Sequence, residues 1–195
     1  MMRRLATIAV PWAILFLVAG CSSPNSRFYS LTAAPTPGAT PSDLSVVVSP
    51  VIIPAAVDRA QMVVSVGPNQ VRVDEFNRWV GPLQNGIARV VAENLVAMLG
   101  TPRVTVSSQT LTVLDYRVAI DVQRFDSALG EAATLDAYWT VVRAKDGKSQ
   151  TGRTSLREPT TAPGYEAVAG AHSRALARLS QDIADALRAL DRAGG

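Results

Sequence analysis

Two side chains that could take part in chemistry, Cys21 and His172, each occur only once in this 195-residue chain. A single cysteine excludes an intramolecular disulfide, and one cysteine with one histidine cannot form the four-ligand site of a structural zinc ion. His172 falls on the apolar stripe of a predicted helix, which favours packing over catalysis. An enzyme would need His172 in a cleft beside a nucleophile. The sequence therefore predicts no metal and no cofactor at these residues, and it favours binding over catalysis.

Two further patterns look catalytic but have simpler interpretations. The tripeptide GKS at 147–149 matches the end of a phosphate-binding loop, yet the position where this loop needs a glycine, five residues earlier, is Val142. Asp146 precedes this tripeptide, and the resulting Asp-Gly pair is typical of a tight hairpin turn. Asp74 and Glu75 are neighbouring acids, which we interpret as loop charges rather than as an acid–base pair.

The surroundings of Cys21 predict lipid attachment. Residues 1–20 combine a basic start, an apolar run and small residues, which is the layout of a secretory signal peptide. A transmembrane helix is the alternative, but the run before Cys21 is short for a bilayer core, which takes roughly 20 residues. The ending VAGC at 18–21 resembles a bacterial lipobox, which implies cleavage before Cys21 and acylation of its sulfur. A buried core cysteine is the other interpretation.

Composition limits the class of protein. Hydrophobic residues make up 48% of the chain, so a folded core is expected. The formal charge is +3, but without residues 1–20 the count is 17 basic against 16 acidic residues, or +1. A nearly neutral mature domain gives no electrostatic reason to expect nucleic acid as a partner.

The chain divides into three predicted segments: a lipoprotein signal peptide at 1–20, a tether at 21–45 that begins with the acylated cysteine, and a folded periplasmic domain at 46–191. The tether is rich in proline, serine and threonine, and no sustained period of 2 or 3.6 runs through it.

Apolar periodicity predicts two helices and about six strands within the domain. Apolar residues recur at helical spacing from Pro82 to Gly100, and again from about Gly164 to Leu190. Alternation predicts half-buried strands, which are clearest over 111–125 and 133–141. Shorter strands are predicted at 45–54, 61–66, 70–73, 103–107 and 149–157. Because each helix has one apolar stripe, both are expected on one face of a mixed or antiparallel sheet, giving an α+β two-layer sandwich.

Trp79 lies in the approach to the first helix, where it has two interpretations. It either fills the core or serves as an exposed anchor for another protein, since tryptophan is favoured at the centres of protein contacts.

These features together resemble the ABC-type transport auxiliary lipoproteins, the paraquat-inducible protein C family. The likeness rests on the lipobox, the patch FYSL at 28–31, and the stretches VSPVIIPAAVDRAQMVV at 48–64 and NRWVGPLQNGIARVVAENLVAMLG at 77–100. The positions that match the family pattern are Val51, Pro54, Asp58, Arg59, Gln61, Trp79, Pro82, Leu83, Asn94 and Leu95. Ala60 and the pair Val80-Gly81 depart from it.

The resemblance implies a non-catalytic lipoprotein, anchored in the bacterial outer membrane and facing the periplasm, that serves a lipid-transport system. Ser22 after the cysteine resembles the signal for export to the outer membrane. The implied partner is a protein with mammalian-cell-entry (MCE) domains, and the surface around Asp58, Arg59 and Trp79 is the candidate docking site. The alternative is a module that itself holds lipid acyl chains between helices and sheet. A homo-oligomer of this chain is also compatible with the sequence.

Overall fold

The structure, a computed structural model, describes residues 25–34, 41–107, 109 and 113–193. Within these residues the chain forms eight strands and two helices. In chain order they are β1 (Arg27–Tyr29), β2 (Val46–Ile52), β3 (Gln61–Gly67), β4 (Gln70–Trp79), α1 (Leu83–Leu99), β5 (Val104–Thr105), β6 (Tyr116–Ala128), β7 (Ala132–Arg143), β8 (Ser149–Pro159) and α2 (Tyr165–Arg192).

All of these strands belong to one mixed sheet built around β6 and β7. These two strands form a long antiparallel pair, and β8 adds antiparallel to the free edge of β7. The other edge of β6 is shared, because its first half pairs parallel with β2 and Ser127 near its end pairs parallel with Val64 of β3. From there β5 extends the sheet beside β2, while β4 and then β1 extend it beside β3.

Both helices pack on the same face of the sheet. Helix α1 begins after Pro82, whose fixed φ suits a helix start, and it ends at Gly100, which takes the left-handed conformation with φ of 63°. This helix lies over β2, whereas α2 lies over β7 and β8. The apolar stripes of both helices meet the inward side chains of the sheet in one continuous core. The α+β prediction is therefore confirmed.

Residues 25–34, which the sequence assigned to the tether, pack against the domain instead. Strand β1 pairs parallel with β4, and Leu31 is 3% exposed. The backbone N–H of Thr32 donates to the Ser173 hydroxyl at 3.1 Å, and that of Ala34 donates to the Asn94 side-chain oxygen at 3.0 Å. Because Ser173 and Asn94 are buried polar groups on the two helices, this segment supplies the partners that they need.

Strand β4 runs to Trp79, well beyond the predicted end at residue 73. A register shift between Gln61 and Met62 of the neighbouring strand β3 marks a bulge in β4, after which pairing resumes at Arg78. Periodicity could not show this extension, because a bulge interrupts the alternation on which the prediction rests.

Candidate functional site

Trp79 lies at the end of β4 with its side chain in the core. The residue is 6% exposed, and its ring makes edge-on contacts with Phe125 and His172 at centroid distances of 6.2 and 6.4 Å. Its backbone N–H donates to the Ala60 carbonyl at 2.7 Å. Of the two interpretations of Trp79, core packing therefore describes the position of the ring.

Asp58 and Arg59 lie in the loop between β2 and β3, and both are exposed. A turn hydrogen bond from the Arg59 N–H to the Val57 carbonyl, at 2.8 Å, shapes this loop. The loop ends at Ala60, whose carbonyl accepts the bond from Trp79, so it lies directly against the end of β4. The structure thus brings all three candidate residues to one corner of the sheet, with the two charges facing outward and the indole ring facing inward.

The exposed apolar residue at this corner is Val80, which the sequence analysis did not include among the candidates. Val80 is 67% exposed, and its N–H donates to the Tyr29 carbonyl at 2.9 Å. The sequence left the orientation of the Trp79 side chain open. Once that ring is known to face inward, the alternation of side chains along a strand directs the next residue outward.

Beside Val80 a groove of about 230 Å³ opens between the end of β1 and the start of α1. We call it the Trp79 groove. Its lining residues are Tyr29, Ser30, Leu31, Trp79, Val80, Gly81, Pro82, Leu83, Asn85, Gly86 and Arg89. Arg89 already donates to the Leu31 carbonyl at 2.7 Å and to the Glu93 carboxylate at 2.8 Å. The groove therefore presents a mainly apolar surface, suited to contact rather than to reaction.

His172 lies on the inward face of α2 and is fully buried. Its ring stacks on Phe125 at a centroid distance of 3.7 Å, and Nε2 lies 2.9 Å from the Ser127 hydroxyl oxygen. Nδ1 has no hydrogen-bond partner among the described residues. Burial lowers the pKa of the imidazole to about 3, so the ring is neutral at pH 7. A substrate has no path to this serine–histidine pair in the arrangement seen, because both residues are buried.

The Asp74 carboxylate accepts hydrogen bonds from the backbone of the bulge in β4. One carboxylate oxygen accepts hydrogen bonds from two backbone N–H groups of the bulge, at 2.9 and 2.8 Å, and the other accepts from the Tyr165 hydroxyl at 2.6 Å. Burial opposes the charged form, but the hydrogen bonds from Tyr165 and the bulge outweigh it and hold the pKa of Asp74 at about 2. This carboxylate therefore has a structural role, joining β4 to the start of α2.

A larger groove, of about 540 Å³, lies beside the start of β6. Its charged groups are bonded to nearby side chains. Arg143 donates to the Asp146 carboxylate at 2.9 and 2.8 Å, and the Tyr116 hydroxyl donates to Asp191 at 3.2 Å. These bonds hold the hairpin between β7 and β8 and the end of α2 in position. The charged groups of this groove therefore have a structural role.

The described residues hold neither a metal-binding cluster nor a membrane-spanning helix. Among them, no group of three histidine, cysteine, aspartate or glutamate side chains is placed to hold a metal ion. In the same part of the chain, no helix has the length and apolar character needed to span a membrane. Cys21, the predicted lipidation site, lies outside the described residues.

Comparison with known proteins identifies the family. A crystal structure of an uncharacterized protein superposes with a TM-score of 0.70 at 19% identity, covering 83% of this chain and 98% of the other. The crystal structure of protein XCC0632 from Xanthomonas campestris, described as a DUF330 protein, gives a TM-score of 0.65 at 22% identity, covering 80% and 92%. At these identities the two structures establish a shared fold.

No curated protein matches the sequence. The model of one family, described as the ABC-type transport auxiliary lipoprotein component, matches residues 29–184. This span includes every described strand and helix except the start of β1 and the last turns of α2. The chain therefore belongs to the ABC-type transport auxiliary lipoprotein family.

Proposed function

We propose that this protein is an outer-membrane lipoprotein, anchored through Cys21 and facing the periplasm, that docks an MCE-domain protein of a lipid-transport system. The observation that carries the proposal is the family match over residues 29–184, a family described as an auxiliary lipoprotein component of ABC-type transport. The lipobox at 18–21 supports anchoring at Cys21. An auxiliary role also supports a non-catalytic protein, in which binding is the activity.

The docking surface that we assign is the corner around the Trp79 groove. Val80 stands 67% exposed at its edge, and an apolar groove next to an exposed apolar side chain is the usual centre of a protein contact. Asp58 and Arg59 lie beside it and supply charges at the rim, where they favour correct orientation more than affinity. A partner that fits would insert one or two apolar side chains into the groove.

The interior favours docking over lipid carriage within the domain. Between helices and sheet, the facing side chains are fully or almost fully buried against one another in one cluster. Leu176, Leu179 and Ile183 of α2 and Val118 and Ile120 of β6 all belong to this cluster. Side chains buried in this way normally pack closely, which leaves little space for acyl chains.

Co-purification tests the docking assignment. Tagged full-length protein, Val80→Asp and Val113→Asp are each recovered from envelope extracts, and bound proteins are identified by mass spectrometry. Val113 is a matched control, because it is 63% exposed and lies near the start of β6 rather than at the corner. We expect an MCE-domain protein with the parent and with Val113→Asp, and at least a tenfold loss, roughly 1.4 kcal/mol, with Val80→Asp. Repeated recovery of no MCE protein with the parent contradicts the proposed function.

Replacing the lipidated cysteine tests the anchor separately. Cys21→Ala should leave the fold intact and move the domain from the membrane fraction to the soluble fraction. A Cys21→Ala protein that loses its signal peptide and stays in the membrane fraction contradicts anchoring through Cys21.

A further inference from the structure

The position of β1 fixes how far the domain can stand from its anchor. Because β1 begins at Arg27 and pairs with β4, only residues 22–26 separate the domain from Cys21. Six residue steps span at most about 20 Å even when fully extended. A compact domain of this size is roughly 40 Å across. The linker is thus shorter than the domain is wide, and the end of the domain that holds β1 must lie close to the anchored lipid.

The surface at this end carries exposed aromatic side chains. Phe28, in the middle of β1, is 62% exposed, and Phe76, in the bulge of β4, is 41% exposed. The two belong to the same part of the sheet, because Arg27 pairs with Asn77, the residue next to Phe76.

A basic side chain accompanies the aromatic ones. Arg78, which pairs with Phe28 across the strands and so lies on the same side of the sheet, is half-buried. Two acids lie nearby: Glu75 accepts a hydrogen bond from the Gln61 amide at 3.2 Å, and the exposed Glu166 lines a groove together with Phe28. Exposed aromatic rings next to arginine match the interface of a phospholipid bilayer, where rings enter the headgroup region and guanidinium groups meet phosphates.

From the short linker and this composition we infer that the surface of Phe28, Phe76 and Arg78 lies against the phospholipid bilayer that holds the lipid of Cys21. We call it the membrane-facing edge. The inference rests on the proposed lipidation of Cys21. It assigns an orientation: β1 meets the membrane, and the start of β6, at the far end of that long strand, lies away from it.

Site-directed fluorescence on the lipidated protein tests this orientation. Because the sulfur of Cys21 is acylated, an added cysteine is the one thiol that reacts with a label. Phe28→Cys, Phe76→Cys and the control Val113→Cys, all at exposed positions, are labelled with an environment-sensitive fluorophore. Each is reconstituted in vesicles of phosphatidylethanolamine and phosphatidylglycerol, with and without a nitroxide-bearing phospholipid. The unsubstituted protein goes through the same labelling.

We expect blue-shifted emission at positions 28 and 76, with quenching by the nitroxide lipid at least about twofold stronger than at position 113, as for side chains in the headgroup layer. Equal quenching at the three positions overturns the membrane-facing edge. So does a blue shift at position 28 that is already present in the Cys21→Ala domain, without its signal peptide and in buffer free of detergent, since it indicates contact with a second copy. Labelling of the unsubstituted protein would instead show a free Cys21, which overturns the proposed lipidation and the orientation together.

Discussion

The layer between helices and sheet and the corner around the Trp79 groove are both rich in apolar residues, yet they differ in exposure. In the layer, Leu176 and Ile183 are completely buried. At the corner, Val80 is 67% exposed at the edge of the Trp79 groove. A single exposed apolar residue is ordinary, but one beside an apolar groove adds to a surface for contact. The comparison indicates that stability resides in the layer and recognition at the corner, so substitutions in each should affect one property and spare the other.

The largest effect on stability is expected from truncating a side chain in the layer. Leu179 is fully buried on α2, so Leu179→Ala should lower the free energy of unfolding by about 3 kcal/mol, through lost burial and the cavity left behind. The matched change at the corner, Val80→Ala, should alter it by less than about 0.5 kcal/mol. Urea denaturation followed by circular dichroism measures both. Equal losses of unfolding free energy in the two variants would contradict the assignment of stability to the layer and not to the corner.

Acid should weaken the layer through His172. The pKa of its imidazole is about 3 in the folded protein and 6.5 as the unperturbed value, so the unfolded chain binds a proton that the folded chain excludes. The stability contributed by the neutral ring is complete well above pH 6.5 and falls as the pH drops toward 3. Relative to pH 8, the loss at pH 5 should reach about 2 kcal/mol.

Denaturation of the parent protein and of His172→Gln across this pH range isolates the effect. The glutamine variant should show a flatter dependence above pH 5, where the pKa of Asp74, at about 2, leaves that carboxylate charged. Identical slopes in the two proteins would show that His172 is not responsible for the acid sensitivity.

A smaller effect is expected where the N-terminal segment meets the helices. Asn94 is fully buried, accepts from the Ala34 N–H at 3.0 Å and donates to the Ser180 hydroxyl at 3.3 Å. Asn94→Ala should cost about 1–2 kcal/mol and speed hydrogen exchange of the Ala34 amide. Exchange measured by NMR should stay slow at Val118 in the core. Unchanged exchange at Ala34 would mean that this contact does not hold the segment.

The sequence was sufficient for the elements that repeat one pattern over many residues. The apolar stripe of α2 and the alternation of β6 and β7 extend over many residues, so both helices and β7 were predicted close to their observed bounds. The strand predicted over 111–125 was placed too early, because β6 begins at Tyr116 and runs to Ala128. The hairpin after β7 followed from its Asp-Gly turn, and Gly147 has φ of 72° there.

The remaining features depend on contacts between residues far apart in the chain. Strand β1 has three residues, too few for a period, and it is held by side chains such as Ser173, which is 141 residues from Thr32. The structure brings the predicted residues Asp58, Arg59 and Trp79 to one corner, whereas its exposed apolar residue, Val80, was not predicted. Which face of β4 is buried depends on the bulge in this strand and on the packing of α2, and the sequence shows neither of them.

Photo-cross-linking in intact cells tests whether the protein binds its partner through the corner around the Trp79 groove. A photoreactive amino acid is placed at position 80 or, as control, at position 113 of the full-length lipoprotein. We expect an adduct with an MCE-domain protein at position 80 and none at position 113. The same MCE adduct at position 113, with none at position 80, would contradict binding through this corner.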